Sequence, residues 1–120
     1  MKPLTNNNLT AFMQRFENFK DADFRSLDVL SATQIQLVFA VQDKARAYDW
    51  ISIEILFDGV VDAKLIEENQ VDFVDMSDGL TLLYETTYTF AIGNYKSSQV
   101  CKDSILYVVS KTIKYKEGQF

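Results

Sequence analysis

Carboxylates are the main chemical resource of this chain. Asp58, Asp62, Glu67, Glu68, Asp72, Asp75 and Asp78 fall within 21 residues, and histidine is absent from all 120. Without imidazole the commonest acid, base and metal ligand is missing, so neither a Ser-His-Asp nor a Cys-His site can be assembled. The single cysteine, Cys101, cannot form a thiolate cage. Beside Lys102 it reads as an incidental small residue rather than a nucleophile. No glycine-rich phosphate loop of either common type occurs. The spacing Asp72-x-x-Asp75-x-x-Asp78 supplies oxygens of the kind a hard cation takes. Calcium loops, however, alternate their ligands around a glycine turn and close on a glutamate, and that order is not present here. These observations predict no metal, no cofactor and no catalytic residue. They leave the acids two roles: a solvated loop, or a surface whose field steers basic partners.

The charge is unevenly spread. Residues 1–42 balance, residues 43–85 carry eleven acids against Lys44, Arg46 and Lys64, and residues 86–120 carry five lysines against Asp103 and Glu117. An acidic middle repels phosphate backbones, which argues against nucleic acid as a partner. Tyr48 and Trp50 precede a strand-like run at 51–57. Both residue types anchor interfaces at low entropic cost and also line the margins of ordinary cores. Arg46 is close enough in sequence to stack on Trp50.

The elements that must position these groups follow from periodicity. Leu9, Phe12, Met13, Phe16 and Phe19 make one apolar stripe, predicting a helix over about residues 7–20. Asn6, Asn7 or Asn8 would cap it. From Ala22 the period changes to two. Leu27 and Val29 alternate with polar residues, while Phe24 has the other parity, predicting a bulge near Arg25. Ile35, Leu37, Phe39 and Val41 share a face, as do Ile51, Ile53, Ile55 and Phe57. Leu80, Leu82, Tyr84, Tyr88, Phe90 and Ile92 form another set, and Ile105, Tyr107, Val109, Ile113 and Tyr115 the last. Asp58-Gly59, Asp78-Gly79 and Gly93-Asn94 read as turns, and Val71, Phe73 and Val74 as a short strand. One-sided alternation is the pattern of an antiparallel sheet with a single face toward the core. The expected fold is α+β in one domain, residues 1–120. An N-terminal helix packs on a curved, mainly antiparallel sheet of six or seven strands, which can curl toward a partial barrel. The inward face is expected to carry Ile35, Leu37, Phe39, Ile53, Ile55, Phe57, Leu82, Tyr84, Tyr88 and Phe90.

Several short patches carry a resemblance: Phe19-Lys20-Asp21-Ala22, the apolar strand at 35–41, Ile53-Glu54-Ile55-Leu56-Phe57-Asp58-Gly59-Val60, and Asp78-Gly79. This layout resembles a group of small uncharacterised bacterial domains with a Phe-His-Asp-Ala start, some of which look like immunity proteins that neutralise a partner toxin. Lys20 stands where the group has histidine, so any role of that histidine is absent here. The resemblance implies a fold more than an activity.

These readings converge on a non-catalytic protein-binding module, in which Tyr48, Trp50, Asp58, Asp62, Asp72, Asp75 and Asp78 meet a basic partner protein. Two alternatives belong to other classes. One is a small-molecule site between helix and sheet, lined by Phe16, Tyr84, Tyr88 and Phe90. The other is a homodimer formed through sheet edges. One cysteine and no visible secretory or membrane-spanning run predict a cytoplasmic protein that does not enter membranes.

Overall fold

Strict alternation along Gln34–Asp43 (β3) and Asp49–Lys64 (β4) builds the centre of one antiparallel sheet. The computed structural model describes residues 1–120. The remaining strands are β1 (Lys2–Leu4), β2 (Asp23–Ser31), β5 (Leu80–Tyr84), β6 (Tyr88–Ile92) and β7 (Tyr107–Gln119), with helices α1 (Leu9–Arg15) and α2 (Ser98–Cys101). The sheet runs β2-β3-β4-β7-β6-β5 and does not close. β1 and β6 share one side of β7, β6 along Tyr107–Ser110 and β1 along Ile113–Tyr115. This is the expected α+β architecture with a curved sheet. No helix is long and apolar enough to cross a membrane.

The whole predicted helical stripe is buried, Leu9 and Phe12 through Phe19 included, but the helix is shorter than the stripe. It ends at Arg15, and Glu17, Asn18 and Phe19 all take positive φ in a tight 3-10 turn. Left-handed backbone is costly for residues with a Cβ. Here the turn is held by packing, because it aims Phe16 and Phe19 into the core instead of letting them rotate away along a continuing helix. Phe19 meets Phe39 edge-on at 5.6 Å between ring centroids, and Phe39 stacks on Phe24 at 4.8 Å. Asn8 precedes the helix but does not cap it with its side chain. Its Oδ1 instead accepts the Thr5 N–H at 2.7 Å, and its Nδ2 donates to the Pro3 carbonyl.

Several local expectations are corrected. The bulge near Arg25 is present, as a register shift between Phe24 and Ser26. Asp58-Gly59 is not a turn. β4 continues through it to Lys64, with Gly59 at φ +70° where the strand leaves β3 and runs on along β7 alone. Val71 to Val74 form no strand; Glu68–Phe73 is a 3-10 turn that buries Val71 and leaves Phe73 81 % exposed. Along β7 the predicted parity fails in the first half. Leu106, Val108 and Ser110 face inward and Ile105 is exposed, whereas Ile113 is inward beyond Lys111. The neighbouring register shift between Val60 and Asp62 of β4 marks this change of face. Tyr84, expected inward, is 41 % exposed at the end of β5. Its ring packs at a tilt against Tyr88 beside a hairpin closed by Glu85 N–H to the Thr87 carbonyl. The other nine residues of the predicted inward face are buried.

Candidate functional site

The four strands β2, β3, β4 and β7 present two surfaces. The inner one is closed by α1 and the phenylalanine rings. The outer one carries Ser26-Val38-Glu54-Lys116 in one row across the strands, and Asp28-Gln36-Leu56-Lys114 in the next. Toward one end the outer rows become small: Ala40, Ser52 and Gly118 are direct neighbours. Short side chains leave a hollow there, lined by Arg25, Val38, Ala40, Ser52 and Phe120. Trp50 packs against Phe120 in a tilted contact, 5.8 Å between ring centroids, and the Arg25 guanidinium lies over the Phe120 ring at 5.4 Å. Trp50 itself remains 42 % exposed. A solvent-facing Trp, Phe and Arg around a small-residue floor matches the residue types that dominate binding energy at protein interfaces.

Beside this hollow lies an acidic flank. The 3-10 turn Glu68–Phe73 packs against β2, and the Asp21 N–H donates to the Met76 carbonyl at 2.9 Å. The acidic segment is thereby pinned along the strand that carries Asp23 and Asp28. Asp75 accepts the Ser77 N–H at 2.9 Å, which holds its carboxyl below the ordinary carboxylate range. The segment from Glu68 to Met76, with Asp72 and Asp75, thus lies along the strand of Asp23 and Asp28, and Arg25 links this strand to the hollow through its 3.4 Å contact with Asp23. Asp78 lies apart, beside Lys20 in a slot between α1 and β5.

The other predicted site residues lie apart. Asp58 lies in the middle of β4, eight residues from Trp50; at about 3.3 Å each these separate them by roughly 26 Å. Its Oδ1 accepts the Gly59 N–H. Asp62 lies on the β7 side, accepting from the Tyr107 hydroxyl at 3.1 Å and facing Lys102 at 3.5 Å. Tyr48 is exposed, in left-handed backbone in the β3–β4 connection, its hydroxyl held up in pKa by Glu17. Arg46 does not stack on Trp50; it pairs with Asp43 at 3.3 Å and Glu117 at 3.5 Å. Phe16, Tyr88 and Phe90 are core residues. Phe90 packs edge-on against Phe57 at 5.0 Å, so rings fill the space those side chains were expected to enclose.

Two further features stand out, the second an opening between helix and sheet that none of Phe16, Tyr84, Tyr88 and Phe90 lines. The first is an ion cluster at the rim of the inner face. Arg15 donates to both oxygens of the fully buried Asp43 carboxylate, Nε to Oδ1 at 2.9 Å and Nη2 to Oδ2 at 2.6 Å, and also to Glu117. The arginine hydrogen bonds hold both carboxyls below their ordinary pKa and raise that of Arg15. Every partner is satisfied, and the cluster joins α1, β3 and β7; it is a clasp, with no open coordination position. The second is a slot of about 390 Å³ between α1 and β5, lined by Leu9, Met13, Lys20, Asp78, Leu82 and Tyr95 among others. Nowhere do three or more Asp, Glu or Cys side chains converge as a metal site requires. Cys101 is buried, which raises its thiol pKa. No spacing pattern announces Arg25, Phe120, the small floor or the slot, because each joins residues from distant strands.

The chain matches no protein-family model, no curated protein and no solved structure.

Proposed function

We propose that this protein is a non-catalytic protein-binding module that meets a basic partner through the acidic flank of β2 and the adjoining Trp50–Phe120–Arg25 hollow. The observation that carries this reading is the pinning of the Glu68–Met76 segment along β2, which brings Glu68, Asp72 and Asp75 beside the strand of Asp23 and Asp28, next to exposed aromatic anchors. Long-range attraction between this flank and a basic surface accelerates encounter, while the aromatic hollow supplies the short-range apolar contact that slows dissociation. An immunity-like role, in which the partner is a toxin with a basic active surface, follows the resemblance of the Phe19–Ala22 start and the strands after it. A reducing, cytoplasmic setting accords with the free, buried Cys101.

The test is binding to the purified product of the adjacent reading frame, followed by interferometry at low and high salt. Association that slows steeply with salt, and slows about tenfold when Asp23, Asp28 and Asp72 are changed together to asparagine, supports the reading. Salt-independent association, or an association rate indifferent to those three carboxylates, refutes it.

A further inference from the structure

In the β5–β6 ladder the pairs Thr81–Ala91 and Leu83–Thr89 fall in step with the bond from the Gly93 N–H to the Gly79 carbonyl, and with that from the Glu85 N–H to the Thr87 carbonyl. Antiparallel ladders alternate. The backbone groups of Leu80, Leu82 and Tyr84 therefore point away from β6, on the side where β5 has no neighbouring strand. Leu80 and Leu82 are nevertheless buried residues. Their outward N–H and C=O groups open into the slot, with α1 as one wall (Leu9, Thr10, Met13) and Tyr95 as the other. Backbone donors and acceptors withdrawn from bulk water require partners, and a row of them at alternate residues is complementary to one thing, another extended chain.

We propose that this slot receives an extended segment of a partner protein, added to β5 as an eighth strand. This is a different surface from the acidic flank and does not depend on that reading. The charge of the slot defines the segment. Its only charged side chains, Lys20 and Asp78, lie together at the Leu80 end, so the segment is uncharged along Leu82 to Tyr84, with apolar side chains at alternate positions toward Leu9 and Met13. A second copy of the chain fits less well, since in a β5–β5 pair two α1 helices would meet over the seam.

The probe is a phage-displayed library of random linear peptides selected on the full chain, with the recovered peptides synthesised and titrated into isotope-labelled protein. Binders are expected to alternate apolar and neutral polar residues. On binding, amide exchange at Leu82 and Tyr84 slows by about tenfold or more, while Thr81 and Leu83, already paired, change little. Methylating peptide nitrogens at every second position abolishes binding in one phase and spares it in the other. Thr10→Trp, which fills the slot from an exposed helix position, weakens binding about tenfold without unfolding the chain; the Asp23, Asp28 and Asp72 asparagine variant leaves it unchanged. Three results overturn the proposal: no peptide above background, peptides whose protection maps to Trp50 and Gly118, or a concentration-dependent dimer that protects the same β5 amides without peptide.

Discussion

The inner and outer faces of β3 and β4 are written in the same residues, one position out of phase, yet they obey different rules. Inward, Leu37, Phe39, Ile53, Ile55 and Phe57 are buried without residue, and each ring meets another ring. Outward, Val38, Ser52, Glu54 and Leu56 are half-buried, and a hollow forms where Ala40, Ser52 and Gly118 keep the floor small. The difference teaches where stability and recognition reside. A side chain packed on all sides is fixed by volume, because the interior has the density of a crystal. A side chain on an open sheet face is free to vary until a partner constrains it.

The largest effect that would break this contrast is at adjacent positions of β3. Phe39→Ala removes a ring in contact with Phe19, Phe24 and Phe90 and should cost about 3–5 kcal/mol. Val38→Ala, one residue away on the outer face, should cost less than about 1 kcal/mol. Urea denaturation of both variants decides it; comparable losses would mean that the outer face is as constrained as the inner.

Next is the clasp at the rim. Arg15→Met leaves the buried Asp43 carboxylate with only the flanking Arg46 and the Ala45 N–H, and should cost about 3 kcal/mol or more at neutral pH. The pH dependence has a definite sign. Asp43 and Glu117 both titrate below the ordinary carboxylate range in the folded state, chiefly because Arg15 hydrogen-bonds to them. In the unfolded chain they titrate near pH 4. Their contribution is therefore complete above roughly pH 5 and is lost as pH falls through the folded-state values. Denaturant midpoints across the acid range should show a steep acid limb in the parent and a flatter one in Arg15→Met; identical limbs would assign acid sensitivity to other carboxylates.

Two glycines sharpen the contrast at lower cost. Gly79 has φ +71°, and a Cβ there would lie 2.1 Å from the Asn18 carbonyl oxygen. Gly79→Ala should cost about 2 kcal/mol or more, since backbone strain of 1–3 kcal/mol is joined by a clash with main chain that cannot move aside. Gly118, on the outer face, would bring a Cβ no closer than 3.8 Å to Ser52, and Gly118→Ala should stay within about 0.5 kcal/mol. Thermal unfolding of the pair separates them by several degrees.

The same contrast explains what the sequence reveals. Inward-facing β3 and β4 are legible because burial of one face writes a period of two into the chain. Phe24 reveals the bulge at Arg25 because it breaks that period. The first half of β7 misleads, since Ile105, Tyr107 and Val109 alternate as well as Leu106 and Val108 do, and only the irregularity beside Val60–Asp62 decides between them. The early end of α1 is silent: nothing in Glu17-Asn18-Phe19 announces three left-handed residues, which tertiary packing alone imposes. β1 is three residues with a proline, too short for any period. Of the candidate surface, Trp50 and the acids Asp72 and Asp75 are visible as residue types. Their separation from Asp58 and Asp62 depends on β4 running straight through a dipeptide that has the chemistry of a turn. Arg25 and Phe120 reach the hollow only through strand order, which pairs β4 with β7 and β2 with β3.

The smallest expected change in stability carries the most functional information. Trp50 contacts Phe120 on one side and solvent on the other, so Trp50→Ala should shift unfolding by less than about 1 kcal/mol. At an interface the same truncation removes a large apolar anchor, and hot-spot tryptophans cost about 2 kcal/mol or more in binding, or roughly thirtyfold in affinity. Because the loss is of short-range contact and not of charge, it should appear as faster dissociation with the association rate and its salt dependence intact, the reverse of the Asp23, Asp28 and Asp72 asparagine variant. Measuring both rates for both variants against one partner therefore tests whether flank and hollow act together. A Trp50→Ala protein that unfolds with the cost of Phe39→Ala would place this ring among the core residues after all. One that keeps full affinity would leave the outer face of the sheet a solvated surface with no recognition role.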